Sequence, residues 1–135
     1  MSWDIFVQDL PRDAKSVAEI PADFRPAPLG KRLAIIEKIK GVVPSTDFSD
    51  PSWGRIDGDG WSIEVDCGSE EDCRGFVLHV RDADFAAVVV SEILEHLEVR
   101  AIDSQTGDFF VRSEAIESLR RWRGYRNHVT DGNEG

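Results

Sequence analysis

A histidine and a carboxylate on neighbouring predicted strands are the residues best suited to acid–base chemistry in this sequence. The alternation of polar and apolar residues places Glu64 on one strand and His79 and Arg81 on the next, all on the same side of a hairpin. We expect Ser62 opposite His79 and Glu64 diagonal to it. A histidine near a carboxylate can act as a general base. The alternative is that these cross-strand charges only stabilise a solvated sheet face.

The residues around this hairpin do not complete a metal site. Asp57–Gly60 (DGDG) resembles the start of a calcium-binding loop, but Trp61 and Gly68 stand where such a loop needs carboxylates. Cys67 and Cys73 form a single pair, whereas structural zinc needs four ligands. The sequence therefore predicts no metal and no cofactor, and a turn at DGDG.

The segment 47–72 is strongly acidic and has a single arginine, Arg55. Most charged segments are simply solvated surface. The functional alternative is a docking face for a cationic partner, because complementary charge speeds association and selects partners. An exposed aromatic side chain within the segment would serve as an anchor. The predicted partner-binding residues are Trp53, Asp57, Asp59, Asp66, Glu70, Glu71 and Asp72.

The hairpin itself is the clearest structural signal, because both arms alternate apolar and polar residues with the period of a strand that is buried on one face. Its two arms are WSIEVD, from Trp61, and FVLHVR, from Phe76. A slip by one residue would turn the apolar side chains to solvent. The expected cross-strand pairs are Val65 with Phe76, Ile63 with Leu78, and Trp61 with Val80.

A helix is expected directly after Arg81, with Asp82 or Asp84 capping its first turn. Its predicted apolar face consists of Phe85, Val88, Val89, Ile93, Leu94 and Leu97. The other expected elements are an interior strand over 2–10, a helix over 30–41 with Leu33, Ile36 and Ile39 inward, a short strand over 53–56, strands over 98–102 and 108–112, and a helix over 113–125. In the turn between the last two strands, Asp103 is expected to accept backbone hydrogen bonds and Gly107 to adopt a left-handed conformation.

These elements predict a single α+β domain over residues 1–135. We expect two layers, a mainly antiparallel sheet with helices packed largely on one face. The segment 11–29 contains four prolines, so a loop with at most one helical turn near 16–19 is expected. Residues 127–135 should form a frayed tail.

Composition excludes several classes of function. The chain of 135 residues has a net charge of −10, which argues against binding to nucleic acid or to an anionic membrane. Arginines near the C-terminus are a weaker hint of nucleic-acid binding that the net charge outweighs; they are Arg112, Arg120, Arg121, Arg123 and Arg126. The sequence shows no signal peptide and no membrane-spanning run, so we expect a cytoplasmic protein. In that compartment Cys67 and Cys73 should be reduced, and a disulfide between them is the less favoured alternative.

Three stretches carry a resemblance to known proteins. They are GWSIEVDCG, GFVLHVRDADF leading into a helix, and VRAIDSQTGDFF, which together cover Gly60 to Phe110. This pattern resembles a group of small acidic bacterial proteins, some of which are similar to the immunity proteins of bacterial toxin systems. The resemblance implies an α+β domain that binds another protein and does not turn over a substrate.

The sequence therefore favours a non-enzymatic, acidic protein-binding domain with a basic protein as its partner. A toxin that the domain neutralises would be such a partner. The alternative is a small enzyme or ligand-binding domain that uses Glu64, His79 and Arg81 on an open sheet face. The oligomeric state is not encoded in any pattern of this sequence.

Overall fold

The computed structural model describes residues 3–81 and 84–111. The predicted helix over 113–125, the arginines from Arg112 onward, the tail over 127–135 and the capping by Asp82 or Asp84 lie outside what it describes. The helices are α1 (Arg32–Val42) and α2 (Asp84–Leu97), and Val17–Glu19 forms one 3-10 turn. The strands are β1 (Trp3–Gln8), β2 (Gly30–Lys31), β3 (Asp47–Asp50), β4 (Trp53–Asp57), β5 (Ser62–Asp66), β6 (Asp72–Cys73), β7 (Gly75–Arg81), β8 (Arg100–Asp103) and β9 (Asp108–Phe109).

Seven of the strands form one antiparallel sheet in the order β3-β4-β5-β7-β1-β8-β9. The N-terminal strand β1 lies between β7 and β8, which confirms the expected interior position. Strands β2 and β6 form a separate two-stranded sheet. Sequence reasoning missed β2, β3 and β6, because two of them have only two residues and the third, DFSD, is polar and punctuated by a bulge.

Both helices pack on one face of the large sheet, which confirms the predicted α+β arrangement. The inner sheet face contributes Ile5, Ile63 and Leu78, each fully buried, to a core shared with α1 and α2. Apolar side chains that face each other across the layers remove surface from water, and this burial is the main stabilising contribution. Neither of these two helices is long and apolar enough to cross a membrane, within the described residues.

Two side chains predicted to face the core are exposed. Leu33 on α1 is 66% exposed and Phe85 on α2 is 59% exposed. Both stand in the first turn of their helix. The other residues predicted to face the core are buried or half-buried, and Ile35 on α1 and Val90 on α2 are buried as well. The helical period was therefore right, and the error is confined to these two residues at the helix starts.

The register of β5 against β7 differs from the prediction by two residues. Val65 pairs with Leu78, and Ile63 pairs with Val80. A two-residue shift keeps every side chain on its own face, so the alternating pattern alone cannot distinguish the two registers. Trp61 is left outside the strand, where its ring packs over Gly58 in the expected DGDG turn.

The proline-rich segment covers part of the outer sheet face. It is irregular except for the 3-10 turn, as expected, and its Ala14 packs with Leu10 and Phe109 in a second small core. The Arg100 side chain donates to the backbone carbonyl of Ala14 at 2.8 Å and holds the segment over β8 and β9. The outer face over β1, β7, β5 and β4 is left open.

Candidate functional site

A row of charged side chains crosses the open outer face of the sheet. Arg55, Glu64, His79 and Asp4 are successive partners on β4, β5, β7 and β1. Their neighbours along each strand point to the core because side chains alternate between the two faces. We call this exposed surface of β4, β5, β7 and β1 the open face.

Trp53 lies on β4, at one side of the open face, and its ring stacks on His79. The two rings are 5.6 Å apart between centroids and inclined by 17°. Trp53 is 40% exposed, so a large part of its indole remains in contact with water. The predicted exposure of this residue is confirmed, and its contact with His79 joins the partner-binding prediction and the acid–base prediction on one surface.

His79 is fixed from two sides. Its Nδ1 lies 2.8 Å from Oδ1 of Asp4, a hydrogen bond that also forms an ion pair when the imidazole is protonated. Glu64 stands directly opposite His79, so the expected diagonal arrangement, with Ser62 opposite, is wrong. Ser62 instead pairs with Arg81, which follows from the two-residue shift of register.

The ion pair of Glu64 is made by Arg55 and not by Arg81. The Arg55 Nη1 lies 3.8 Å from Glu64 Oε1, and the Arg55 Nε donates to Asp57 at 2.9 Å. Arg81 is exposed on the same face, roughly 7 Å along β7 from His79 at the usual rise per residue. The predicted trio is therefore present on one face, but Asp4 and Arg55 are the partners that contact it.

The predicted acidic surface is divided between the two ends of β5. Asp57 and Asp59 flank the turn before this strand, whereas Glu70 and Glu71 follow it, roughly 13 Å away along the strand. Asp66 stands at the far end of β5, directly opposite Trp53. Only part of the acidic segment therefore borders Trp53. A single partner would contact the carboxylates before β5 and those after β5 through separate parts of its surface.

Some of the acidic side chains are already paired. The Lys31 Nζ donates to Asp72 at 2.8 Å and lies 3.6 Å from Glu71, and this ammonium lowers the pKa of Asp72. Asp57 is bound by Arg55. Within the described residues, Asp59 and Glu70 make no ion pair. Charge available to a partner is therefore concentrated on Asp59, Asp66 and Glu70.

The two cysteines are both buried and are not joined by a disulfide bond. Cys67 directly follows β5 and Cys73 lies in β6, and both thiols are free. Burial raises the pKa of Cys67 to about 12 and also raises the pKa of Cys73. Since the thiolate is the reactive form, neither side chain is activated as a nucleophile. No group of His, Cys, Asp and Glu suited to a metal ion occurs in the part of the chain that the structure describes.

The burial of Cys67 gives a first prediction. We expect both thiols of the folded protein to react with a disulfide reagent at pH 8 at least about a hundredfold more slowly than those of the guanidinium-unfolded chain. The raised pKa of Cys67 also stabilises the fold below pH 9 and ceases to do so as pH rises towards about 12, because the unfolded thiol loses its proton first. Stopped-flow absorbance measures the reaction rate, and fast labelling of the native protein would contradict the prediction.

Three residues of the site escaped sequence reasoning. Asp4 and Phe6 lie on the outer side of β1, and Arg55 lies on the outer side of β4. The alternation of β1 placed Asp4 and Phe6 on the same side of that strand, but nothing local shows that β1 pairs with β7. That pairing joins segments about 75 residues apart, so only the fold brings Asp4 to His79.

Comparison of this chain with protein-family models, with curated proteins and with solved structures found no match.

Proposed function

We propose that the protein is a non-enzymatic binding domain that engages a basic protein through its open face. The observation that carries the proposal is the exposed Trp53 ring, held on His79 and bordered by Asp66 and Glu64. A rigid, partly exposed tryptophan among carboxylates has the character of an interface anchor, because it offers a large contact area with little loss of side-chain entropy.

The negative charge of the protein favours a basic partner. The net charge of −10 attracts cationic proteins over several ångströms and repels anionic ones. On the open face, the carboxylates of Asp4, Glu64 and Asp66 outnumber the guanidinium groups of Arg55 and Arg81. An immunity protein could act in this way by covering the cationic substrate site of a toxin, and the cytoplasm, where the free thiols of this chain would persist, is the expected location.

The proposal is tested first by affinity capture from a bacterial lysate and then with the purified captured protein. Capture is run at low and at high salt, and bound proteins are identified by mass spectrometry. A captured basic protein is then titrated by isothermal calorimetry against three variants that each lose two negative charges. We expect E64Q/D66N on the open face to weaken binding by about tenfold or more, because complementary charges contact the partner there.

The matched variants separate a local contact from the overall charge. E70Q/E71Q removes the same charge from the loop after β5, and E92Q/E95Q removes it from the exposed side of α2. We expect the α2 pair to change affinity by less than about threefold, since distant charges are screened at physiological salt. If all three double variants lose the same affinity for the partner, the binding is nonspecific electrostatic attraction and the proposed contact is wrong. If E64Q/D66N binds with unchanged affinity, the proposal is overturned.

A second candidate function follows from the hydrogen bond between His79 and Asp4. This bond fixes the imidazole tautomer, as the carboxylate of a hydrolytic site does, so the face could bind a small ligand or perform acid–base chemistry with Glu64, His79 and Arg81. The stacked Trp53 covers one side of the ring, which leaves less room for a substrate. A measurable activity that H79A abolishes and H79Q does not restore, with the fold intact by circular dichroism, would favour this candidate.

A further inference from the structure

A groove opens in the outer side of the sheet where β5 ends. The strand stops at Asp66, the chain turns away at Gly68 with a φ of +69°, and β7 begins only at Gly75. The first residues of β7 therefore have no paired residue on β5. The resulting space, which we call the β5 groove, encloses about 280 Å³ and is lined among others by Phe6, Gln8, Asp66, Gly75 and Val77.

The β5 groove lies along the same row of cross-strand partners as Trp53. Trp53, Asp66, Val77 and Phe6 are successive partners across β4, β5, β7 and β1. Phe6 is 42% exposed, so one wall of the groove is an aromatic ring open to water. The groove therefore combines an apolar wall, a carboxylate and a neighbouring indole.

The size and charge of the groove narrow the choice of occupant. Its volume of about 280 Å³ is large enough to hold one long side chain. A second groove of about 360 Å³ shares Cys67, Gly68 and Gly75 with it and adds Glu70 and Asp72. Arg74 also lines this second groove, and Lys31 pairs with Asp72. Asp66 and Glu70 remain as carboxylates without an ion pair among the described residues, so a cationic occupant is favoured.

We propose that the β5 groove binds an arginine side chain of the basic partner, an inference that rests on the proposed function. The aliphatic stem of the arginine packs over Phe6 and Val77, and its guanidinium pairs with Asp66. Arginine fits this site better than lysine because its planar group is weakly hydrated, stacks on aromatic rings and matches a carboxylate with two hydrogen bonds. The nearby Trp53 then contacts the segment that carries this arginine.

Short synthetic peptides test the inference without knowledge of the partner. The probe is a peptide of glycine and serine with several arginines, compared with versions that carry lysine or the neutral isostere citrulline at the same places. Each is titrated at low salt into the ¹⁵N-labelled full chain, and the amide signals of Gly68 and Val77 and the indole signal of Trp53 are followed by NMR. We expect the arginine peptide to bind about tenfold more tightly than the lysine peptide and to shift these three signals.

Two variants act on the groove in different ways. D66N removes the charge but keeps the shape and the acceptor for the Gly68 amide, whereas V77F fills the groove and keeps the charge. Each should reduce the affinity for the arginine peptide to that for the lysine peptide. The control, E37Q, removes a charge from the exposed side of α1, on the opposite side of the sheet, and should leave the preference unchanged.

The outcomes distinguish this inference from the proposed function. Equal affinities for arginine and lysine, with no effect of V77F, overturn the arginine site while the purified partner still binds through the open face. Shifts confined to residues away from the groove also overturn it. If no peptide binds, the arginine site is rejected, and the titration of the purified partner against E64Q/D66N decides the proposed function by itself.

Discussion

Replacing Trp53 with alanine is expected to weaken the complex with the basic partner by about a hundredfold, or about 3 kcal/mol. The indole is partly exposed and is held by its stack on His79, so it meets a partner in a single orientation. Its removal also frees the His79 ring, which then loses one of the two contacts that fix it. Calorimetric titration of the purified partner measures the effect, which should appear mainly as faster dissociation.

Phe85 provides the matched control for this prediction. It is an exposed aromatic side chain on α2, in contact with the Trp61 ring 5.5 Å away and remote from the open face. We expect F85A to change the affinity by less than about twofold. Thermal denaturation of W53A confirms that the fold is retained. Loss of binding in both variants, or in neither, would contradict the role of Trp53 as the anchor.

Replacing Asp103 with alanine is expected to lower the free energy of unfolding by about 3 kcal/mol. Asp103 is 1% exposed, and its Oδ1 accepts hydrogen bonds from the Trp3 Nε1 at 2.6 Å and from the Gln105 amide at 2.8 Å. Alanine would leave the buried indole N–H of Trp3 without an acceptor and would leave a cavity next to it. Urea denaturation followed by tryptophan fluorescence measures the change.

Two further variants separate the hydrogen bonds from the cavity. D103N keeps the shape and an acceptor oxygen, so it should lower the free energy of unfolding by only about 1 kcal/mol. W3F removes the donor, and the double variant W3F/D103A should be less unstable than the sum of the single ones. If D103A and D103N are equally unstable, the acceptor of Asp103 does not carry the effect.

The open face joins two sites that the sequence presents as separate. Trp53 belongs to the acidic segment and His79 to the hairpin, yet their rings are stacked. The same carboxylates, Glu64 and Asp66, border both rings. A variant of His79 should therefore disturb partner binding as well as any acid–base chemistry, and only an activity assay separates the two functions.

The sequence by itself determined the secondary structure wherever a long periodic pattern repeats. The alternation in WSIEVD and FVLHVR defined two strands and their buried face, and the DGDG and DSQTG turns formed where aspartate and glycine favour them, with Gly60 and Gly107 at positive φ. Asp103 accepts the backbone bond expected in its turn. These features depend on local residues, so local reasoning was sufficient.

Only the tertiary structure decided the composition of the site. Asp4 reaches His79 because β1 inserts between β7 and β8. The register of β5 on β7 places Glu64 opposite His79, and no alternation of residues encodes this choice. The acidic segment, continuous in sequence, is divided because β5 separates its two ends. Contacts between distant segments depend on which surfaces bury the most apolar area together, and that balance involves the whole chain.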